Sequence, residues 1–403
     1  MNVDLIITEL NVGGAEKALT RLAIGLTKRD HSVRVLSIGS EPKEEHHALV
    51  DQLRSAEIPI AFGDCDSARQ FLQARRWLHK QFKRHPADIR QSFLFHANCL
   101  TAAAALGRVS SDSSGPVPLV GGIRVAEHRP LRCKLESIAL KRMSHVVCVS
   151  EAVRSFSERD LRVSPDRLSV IPNGIEIDDR GHQARFEWST IGLPSDSRVI
   201  LFVGRLHPQK GLELLQQQIT SIVASDPRTR LVLIGQGPLK SDLETWIQNL
   251  PNDRVRLLPF QTDLRPFYAA CEVLVLPSHY EGMPNVILEA MAMEKAVVCS
   301  RIEGTAELFP PVPSAATQTA VIPEGISDVP QDSIDLQRRQ YQTFERGDGD
   351  AMSARLLDLL RDDSLRESFG RANRRYVERF FTVETMVDRY ETLYASLVRG
   401  VRQ

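Results

Sequence analysis

The sequence is poor in cysteine, and its few cysteines lack the spacing that would give them a structural role. Six cysteines are spread over 403 residues, with no CxxC pair and no spacing typical of metal ligands. Several lie in apolar stretches, so we expect reduced thiols in the core rather than disulfides or a zinc site. The six are Cys65, Cys99, Cys133, Cys148, Cys271 and Cys299.

The sequence also lacks an excess of charge of one sign and a long apolar run. Its 51 basic residues balance its 51 acidic residues, so we expect no strong affinity for nucleic acid or another polyanion. The first residues do not form an export signal, and no apolar run approaches the length of a bilayer span. These absences predict a cytoplasmic protein.

Short apolar runs alternate with helical patterns twice along the chain, which is typical of parallel sheets with helical crossovers. The predicted strands are 3–8, 32–37, 92–95, 117–120 and 145–149 in the first half, and 198–203, 230–234, 255–258, 272–276 and 296–300 in the second. A Pro-Asn-Gly turn and the polar residues after it place a boundary at 171–180. The prediction is an α/β fold of two Rossmann-like domains that face each other across a cleft.

The segment 276–292, LPSHYEGMPNVILEAMA, places two carboxylates around a predicted helix start. Backbone N–H groups beside Pro284 form an anion site, and Gly282 lets the chain approach a ligand closely. Glu289, one turn inside the helix, suits a ribose diol, while Glu281 lies in the loop. Taken singly, each glutamate is equally well explained as a solvated side chain. Together they predict a nucleotide-sugar site.

A second cluster, VILFVGRLHPQKGLELL at 199–215, is predicted to be a strand that breaks at Gly204. Arg205 and Lys210 then lie around a Pro-containing turn before a helix. Two fixed cations beside a strand end can neutralise a diphosphate, with bidentate contacts from Arg and a point charge from Lys. An isolated pair would be a solvated basic turn, but the carboxylates of the same half-chain favour a diphosphate site.

An ordered set of motifs now supports a resemblance over nearly the whole length. The first half contains VGGAEKAL, FLFHAN, GGIRVAEH, VVCVSEAV and IPNGI. The second half contains FVGRLHPQKGLELL, LVLIGQGPLK, the Glu-x7-Glu block and RYETLYASLV. In this order the chain resembles the family 4 glycosyltransferases (glycosyl transferases group 1), which are retaining enzymes of the two-domain GT-B type.

The resemblance implies a role for each motif residue. Arg205 and Lys210 would bind the donor diphosphate, Glu289 the ribose and Glu281 the transferred sugar. Residues on the loop that faces the diphosphate from the other domain would complete the site. The implied donor-binding set is Gly13, Gly14, Gly204, Arg205, Lys210, Gly282, Met283, Pro284, Asn285 and Glu289, and the catalytic set is Glu281, His96, Arg205 and Lys210.

Three residues of the first domain are candidates for the acceptor side. His96 follows a predicted strand end, where the family carries a polar residue close to the transferred sugar. The alternative is that its imidazole only anchors the start of a helix. Arg124 and Glu127 follow another strand and lie on the acceptor side by family analogy. Their alternative is an exposed ion pair.

Other segments suggest partners and boundaries. Basic, partly apolar segments at 68–85 and 129–142 suit an anionic membrane face, although solvated helix faces give the same pattern. Because family acceptors are often lipid-linked, we expect a peripheral position on the inner face of the membrane. The polar run 310–346 predicts an irregular insertion with one short helix near 335–343. The resemblance divides the chain into domains 1–175 and 176–381, with a C-terminal helix at 382–403 packing back on the first.

Two Asp-x-Asp sequences, Asp64 to Asp66 and Asp348 to Asp350, match the pattern by which another glycosyltransferase class holds a divalent metal. Neither follows a buried strand, and short acidic turns commonly cap helices. We therefore expect no metal and no other cofactor.

The hypothesis that follows is retaining transfer of a hexose or N-acetylhexosamine from a nucleoside diphosphate sugar, with a UDP-sugar favoured and GDP-mannose as an alternative. The acceptor would be a glycan or a lipid-linked sugar in the synthesis of cell-envelope polysaccharide or glycolipid. Two alternatives stay open, namely a sugar-nucleotide epimerase of the same architecture and a non-catalytic nucleotide-sugar-binding protein.

Overall fold

The computed structural model describes residues 1–106, 116–177, 184–250, 254–309 and 341–402. It divides the chain into two compact units. The first comprises Met1–Gly174 and Thr382–Gln403, and the second comprises Ile175–Phe381. Each unit is built on one parallel sheet, so the predicted fold class of two parallel α/β domains is confirmed.

The strands of the first unit are β1 (Asn2–Ile7), β2 (Ser32–Ser37), β3 (Ile60–Phe62), β4 (Ile89–Phe93), β5 (Leu119–Ile123), β6 (His145–Cys148) and β7 (Leu168–Val170). Those of the second are β8 (Arg198–Val203), β9 (Thr229–Ile234), β10 (Val255–Leu258), β11 (Val273–Leu276), β12 (Ala296–Arg301) and β13 (Thr343–Glu345). The first sheet has the order β3-β2-β1-β4-β5-β6-β7, and the second has the order β10-β9-β8-β11-β12-β13.

The α-helices described in the first unit are α1 (Gly14–Thr27), α2 (Ala48–Ser55), α3 (Phe71–Arg84), α4 (Phe95–Ala104), α5 (Pro130–Leu140), α6 (Glu151–Arg159) and α14 (Val383–Arg402). Those described in the second are α7 (Leu212–Ala224), α8 (Lys240–Gln248), α9 (Arg265–Ala270), α10 (Asn285–Ala292), α11 (Glu303–Ala306), α12 (Gly349–Arg361) and α13 (Asp363–Phe380). None of these helices is both long enough and apolar enough to cross a lipid bilayer.

The first sheet is covered on both faces, which explains why its central strand is apolar at successive positions. In β1, Leu5 and Ile7 belong to the core cluster shared with α1 and α14. Ile6, which points to the opposite face, belongs to the cluster shared with α3 and α4. From α14, Tyr390 and Tyr394 are fully buried in the first cluster. The C-terminal helix therefore completes the core of the first unit.

The sequence patterns misplaced β4, which was predicted at 92–95 and lies at Ile89–Phe93. Its start was missed because Arg90 is charged, yet Arg90 is buried beside Asp4 at 3.4 Å and stacks over the ring of Phe82 at 4.2 Å. The strand then stops because Leu94 has a φ of 74°, which β structure does not allow. Similarly, β5 was predicted at 117–120 and runs from Leu119 to Ile123.

The prediction of an irregular insertion at 310–346 is wrong at its end. Residues 343–345 form β13, which pairs in parallel with β12. Gln342, just before β13, is fully buried because its side-chain oxygen accepts hydrogen bonds from Val297 N and Asn373 Nδ2, both at 2.8 Å. Residues 310–340, and with them most of the helix predicted near 335–343, lie outside the described residues.

The two basic segments of the first unit are helical, but they are shorter than predicted. The segment 68–85 contains a 3-10 turn at Ala68–Gln70, capped by the side chain of Ser67, and then α3. The segment 129–142 contains α5, which begins at Pro130 and ends at Leu140.

Candidate active site

Three of the four charged candidate residues of the second unit lie in loops that follow adjacent strands. The order of the second sheet reverses between β8 and β11, and ligands of open α/β sheets bind at such a switch point, outside the carboxyl ends of the strands. Arg205 and Lys210 lie in the loop after β8, and Glu281 lies in the loop after β11. Glu289 follows on α10.

Glycines bring these two loops into backbone contact. Gly211 has a φ of +64°, and a Cβ there would lie 2.0 Å from the carbonyl oxygen of Pro277, so only glycine fits. The neighbouring Gln209 ties the loops together. Its side chain donates to Tyr280 O at 2.8 Å, and its own carbonyl accepts from His279 N at 2.8 Å. The loops after β8 and β11 therefore form one rigid surface.

Lys210 and Glu281 meet on this surface. Lys210 Nζ lies 2.5 Å from Glu281 Oε1, and Ser278 Oγ donates to the same oxygen at 2.8 Å. The two side chains are only 15% and 10% exposed. The sequence analysis gave Lys210 and Glu281 separate roles, whereas the structure shows a largely buried ion pair. Ser278 was missed, although its position two residues after the strand was a usable signal.

Arg205 differs from Lys210, since its side chain is exposed and it forms no ion pair with any residue that the structure describes. Its loop is held by close backbone packing against the turn after β9. A Cβ on Gly235 would lie 1.9 Å from Gly204 O, and one on Gly237 would lie 2.4 Å from Leu206 O. These two glycines belong to the IGQG motif, which the sequence analysis noted without a site role.

The start of α10 suits an anion. Pro284 is its N-cap residue, in an extended conformation, and no side chain caps the helix at that position. Gly282, Met283, Pro284 and Asn285 are all buried, so the backbone amides of the first turn lie in a shielded environment, which strengthens their attraction for an anion. A Cβ on Gly304 would lie 2.4 Å from Glu281 O. The backbone of α11 therefore packs directly against this loop.

Glu289 lies in the second turn of α10 and is half-buried. Tyr268 on α9 donates its hydroxyl to Glu289 Oε2 at 3.2 Å. This bond orients the carboxylate, and a carboxylate has enough lone pairs to accept hydrogen bonds from a diol as well. Tyr268 was not identified from the sequence, because a buried tyrosine on a short helix is most simply explained as core.

In the first unit, the sheet order reverses between β1 and β4. Gly13, in the loop after β1, is the N-cap residue of α1, and Gly14 is its first residue. A Cβ on Gly13 would lie 2.3 Å from Glu16 Oε2, so the Glu16 carboxyl folds back over the helix start. Burial raises the pKa of Glu16 to about 7, and hydrogen bonds from the backbone of Glu16 and Ala15 oppose the rise. No sequence pattern indicated a role for Glu16.

Arg124 follows β5 and is 7% exposed. Its guanidinium lies over the ring of Phe93, 4.9 Å from the centroid, and none of its three nitrogens hydrogen-bonds to a described residue. Burying unpaired donors is costly. Arg124 does not pair with Glu127, which instead forms ion pairs with Arg129 at 2.8 Å and with Arg132. The structure therefore separates two residues that the sequence analysis placed together.

His96 is the second residue of α4, not the end of a strand as predicted, because Leu94 turns the chain and the helix begins at Phe95. The residue is exposed at the protein surface. Burial lowers the pKa of His96, and the nearby charge of Arg132 lowers it further, so the imidazole is neutral at neutral pH.

The start of α4 is anchored by Asn98 rather than by His96. Asn98 Oδ1 accepts hydrogen bonds from Ser92 Oγ at 2.7 Å and from Gly122 N at 3.2 Å. Asn98 Nδ2 donates to Gly122 O at 3.1 Å. Asn98 thus joins α4 to β4 and β5. The start of α4 is therefore held in place without a contribution from His96.

Three of the four aspartates in the two Asp-x-Asp sequences have partners within the protein. Asp66 accepts hydrogen bonds from Ser40 N at 2.8 Å and Ser40 Oγ at 2.6 Å. Asp348 caps α12 by accepting from Ala351 N at 2.9 Å, and Asp350 accepts from Gln218 at 3.1 Å. Among the described residues, no group of three or more potential ligands could hold a metal ion.

The shifted pKa of Glu16 gives a testable pH dependence. Because its folded pKa of about 7 lies above the ordinary glutamate value of 4.5, the folded state holds the proton more tightly. The contribution of Glu16 to stability is then greatest below about pH 4.5 and declines as the pH rises to about 7. Glu16→Gln should remove up to about 3 kcal/mol of this decline, measured by urea unfolding at several pH values. A variant whose pH profile matches that of the wild type would contradict the assignment.

Comparison with known proteins places this geometry in a family. The family described as Glycosyltransferase Family 4 matches residues 12–179, and the family described as Glycosyl transferases group 1 matches residues 197–362. The structure of Anabaena Alr3699/HepE in complex with UDP-glucose superposes with a TM-score of 0.76 at 18% identity, covering 98% of this chain and 100% of that chain. At that identity the likeness shows the fold alone.

Two curated relatives align with parts of the chain. The Escherichia coli UDP-Gal:alpha-D-GlcNAc-diphosphoundecaprenol alpha-1,3-galactosyltransferase is 32% identical over 42% of this chain and 46% of its own length. The Staphylococcus aureus capsular polysaccharide biosynthesis glycosyltransferase CapM is 24% identical over 66% of this chain and 65% of its own. This chain thus covers less than two thirds of either relative. The two family matches follow each other along the chain and together cover more than half of it. The chain therefore belongs to the family 4 glycosyltransferases with a C-terminal group 1 domain.

Proposed function

We propose that the protein is a retaining glycosyltransferase that moves a hexose or N-acetylhexosamine from a UDP-sugar to a glycan or lipid-linked acceptor of the cell envelope. The observation that carries this proposal is the Lys210–Glu281 pair at the switch point of the second sheet. A cation and a carboxylate held side by side, next to the helix start at Pro284, suit a ligand that joins a diphosphate to a polyol.

The donor diphosphate would bind where Arg205, Lys210 and the first turn of α10 supply positive charge. On binding, Lys210 would exchange the Glu281 carboxylate for phosphate oxygens, and Arg205, which is exposed and has no ion-pair partner among the described residues, would swing onto the diphosphate. Glu289, oriented by Tyr268, would accept hydrogen bonds from the ribose hydroxyls. Released from Lys210, Glu281 would accept a hydrogen bond from a hydroxyl of the transferred sugar.

The names of relatives support a UDP-sugar over a GDP-sugar. One curated relative uses UDP-Gal according to its name, and one structural neighbour was solved with UDP-glucose. The same relative acts on a sugar linked to diphosphoundecaprenol, and the name of the other refers to capsular polysaccharide. These names support an acceptor of the cell envelope.

The proposed transfer step requires stabilisation of the leaving diphosphate. As the bond between the anomeric carbon and the phosphate oxygen breaks, negative charge grows on that oxygen, and Arg205, Lys210 and the amides of α10 oppose it. The acceptor hydroxyl attacks on the face that the diphosphate leaves and passes its proton to the departing phosphate oxygen, so no protein nucleophile is assigned. In the first unit, Arg124 would bind an anionic group of the acceptor, and neutral His96 would hydrogen-bond to the transferred sugar.

A donor screen tests this function. The purified protein is incubated with several UDP- and GDP-sugars, with and without acceptors, and the products are resolved by mass spectrometry and NMR. Release of UDP with formation of an α-linked product from an α-linked donor is expected. Interconversion of two UDP-sugars without release of UDP would instead show an epimerase. Binding of UDP-sugars with no turnover in the presence of lipid-linked and glycan acceptors would indicate a binding protein.

We further propose that the chemistry needs no divalent metal, because Arg205, Lys210 and the start of α10 supply the charge that the diphosphate requires. With a soluble acceptor, activity should survive excess EDTA. Asp348→Asn should remain close to wild type, since asparagine also caps helices well. Asp64→Asn should do so because asparagine tolerates the positive φ of 52° at that position. Complete loss of activity under EDTA that Mn²⁺ restores would contradict this proposal.

A further inference from the structure

The first unit contains an apolar cavity that the proposed donor site does not use. It has a volume of about 580 Å³, within the range of ligand-binding pockets. Its lining comes mainly from α3, α4 and α5, and α4 packs against both of the others. Half of the lining residues of α4 are small, namely Cys99, Ala102 and Ala103, and these leave space between α3 and α5.

The mouth of this cavity is unusually apolar for a protein surface. Of the eight large hydrophobic side chains that are exposed in the described residues, six lie on α3, α5 or just after α4, and they are between 42% and 72% exposed. The six are Phe71, Leu72, Leu106, Leu131, Leu135 and Ile138. Four of them, Phe71, Leu106, Leu135 and Ile138, line the cavity itself. Clustered exposure of this kind marks a binding surface.

Basic side chains lie beside the apolar mouth, where Arg75 donates to the carbonyl oxygen of the lining residue Ala103 at 3.0 Å. Helix α3 carries five basic residues and no acidic one, and Arg142 lines the cavity. Asp66, a carboxylate in the lining, already accepts two hydrogen bonds from Ser40. The surroundings therefore suit a ligand that combines a hydrocarbon chain with an anionic head.

The other end of the cavity lies at the switch point of the first sheet. Thr8 directly follows β1, His96 lies just after β4, and both line the cavity. The same carboxyl edge of the sheet carries Arg124, with its buried and unpaired guanidinium. A chain lying in the cavity would thus begin beside the polar groups of the acceptor side.

We propose that this cavity binds the hydrocarbon chain of an anionic lipid, a prenyl or acyl chain that carries a phosphate or diphosphate. Combined with the proposed function, on which this second statement rests, the acceptor is a sugar linked through a phosphate or diphosphate to that chain. Its polar head would lie near His96, and its chain would lie between α3 and α5. Binding of the chain itself does not require that the protein transfer a sugar.

The test uses calorimetry on the full chain with three monomeric probes below their micelle concentrations, namely dodecyl phosphate, butyl phosphate and dodecyl maltoside. Each buried methylene strengthens binding about fourfold, so dodecyl phosphate should bind at least about a hundredfold more tightly than butyl phosphate. Dodecyl maltoside, which lacks the negative charge, should bind more weakly than dodecyl phosphate. Equal affinity for butyl and dodecyl phosphate would remove the basis for a chain site.

Variants separate the cavity from the surface around it. Ala103→Trp fills the cavity, and Leu135→Glu places a charge at its mouth on a side chain that is already 47% exposed, so folding should be retained. Both should weaken dodecyl phosphate binding at least about tenfold. Gln73→Glu adds the same charge at an exposed position of α3 that belongs neither to the apolar mouth nor to the lining, so it is the control and should bind like wild type. Equal losses at Gln73 and Leu135 would overturn the proposal.

Vesicles and UDP distinguish the remaining outcomes. Sedimentation with phosphatidylglycerol vesicles, without any binding of monomeric dodecyl phosphate, would show a membrane-docking face in place of a chain site. UDP affinity should be unchanged in all three variants. Binding of dodecyl phosphate with no turnover of any sugar nucleotide would reject the proposed function and leave the chain site standing. Transfer to soluble acceptors without any binding of dodecyl phosphate would reject the chain site and leave the proposed function standing.

Discussion

Arg205→Ala and Lys210→Ala should each lower kcat/KM by about two orders of magnitude or more, because each removes a charge-assisted contact to the leaving diphosphate. The two losses should differ in origin. Arg205 forms no ion pair with the described residues, so its removal should leave stability unchanged. Removal of Lys210 leaves Glu281, only 10% exposed, with a single hydrogen bond from Ser278, so thermal stability should also fall.

Matched controls make this result interpretable. Lys240→Ala, at an exposed site on α8 of the same unit, should keep full activity. The double variant Lys210→Met with Glu281→Gln removes both charges of the buried pair, so it should recover stability without recovering activity. Near-normal steady-state turnover of both single variants would refute the diphosphate assignment.

Glu281 and Glu289 should separate nucleotide binding from transfer. Glu289→Ala should weaken the binding of free UDP about tenfold, because a ribose contact does not depend on the sugar. Glu281→Gln should reduce transfer by about two orders of magnitude. It should also leave UDP affinity equal to wild type or higher, since Lys210 would no longer be neutralised by a carboxylate before the diphosphate arrives.

Calorimetry with UDP and initial rates with the preferred donor measure these two effects. Tyr268→Phe is a useful third variant, because it removes the hydroxyl that orients Glu289 and keeps the ring in the core. It should reproduce part of the Glu289→Ala loss without any effect on thermal unfolding larger than about 1 kcal/mol. An equal loss of UDP affinity in the Glu281 and Glu289 variants would contradict the division of roles.

The parallel sheets could be predicted from the sequence because their central strands are apolar on both faces. β1, β8 and β11 all carry that signal. The edge strands β3, β7 and β13 are only three residues long, too short for a pattern to stand out. In β4 the pattern failed because a buried ion pair with Asp4 hides Arg90 inside the strand.

The candidate site was predictable in its residue types and less so in its contacts. Glycine and proline in the loops after β8 and β11 predicted where Arg205, Lys210 and Glu281 lie along the chain. The close approach of Gly211 to Pro277 is visible only in the folded structure. This approach brings Lys210 into an ion pair with Glu281. Glu16 was missed because a glutamate in the first turn of a helix is normally exposed, and burial depends on packing from distant parts of the chain.

The return of α14 to the first unit changes the order in which this protein can fold as it leaves the ribosome. Domains normally complete folding from the N terminus onward. Here Tyr390 and Tyr394 close a core that begins at β1, so that core cannot be finished until the last helix has been made. The second unit is continuous in sequence from Ile175 to Phe381 and can finish earlier. A chain released at Phe381 would therefore hold a finished second unit beside a first unit whose apolar face against α1 is still open to water and to aggregation.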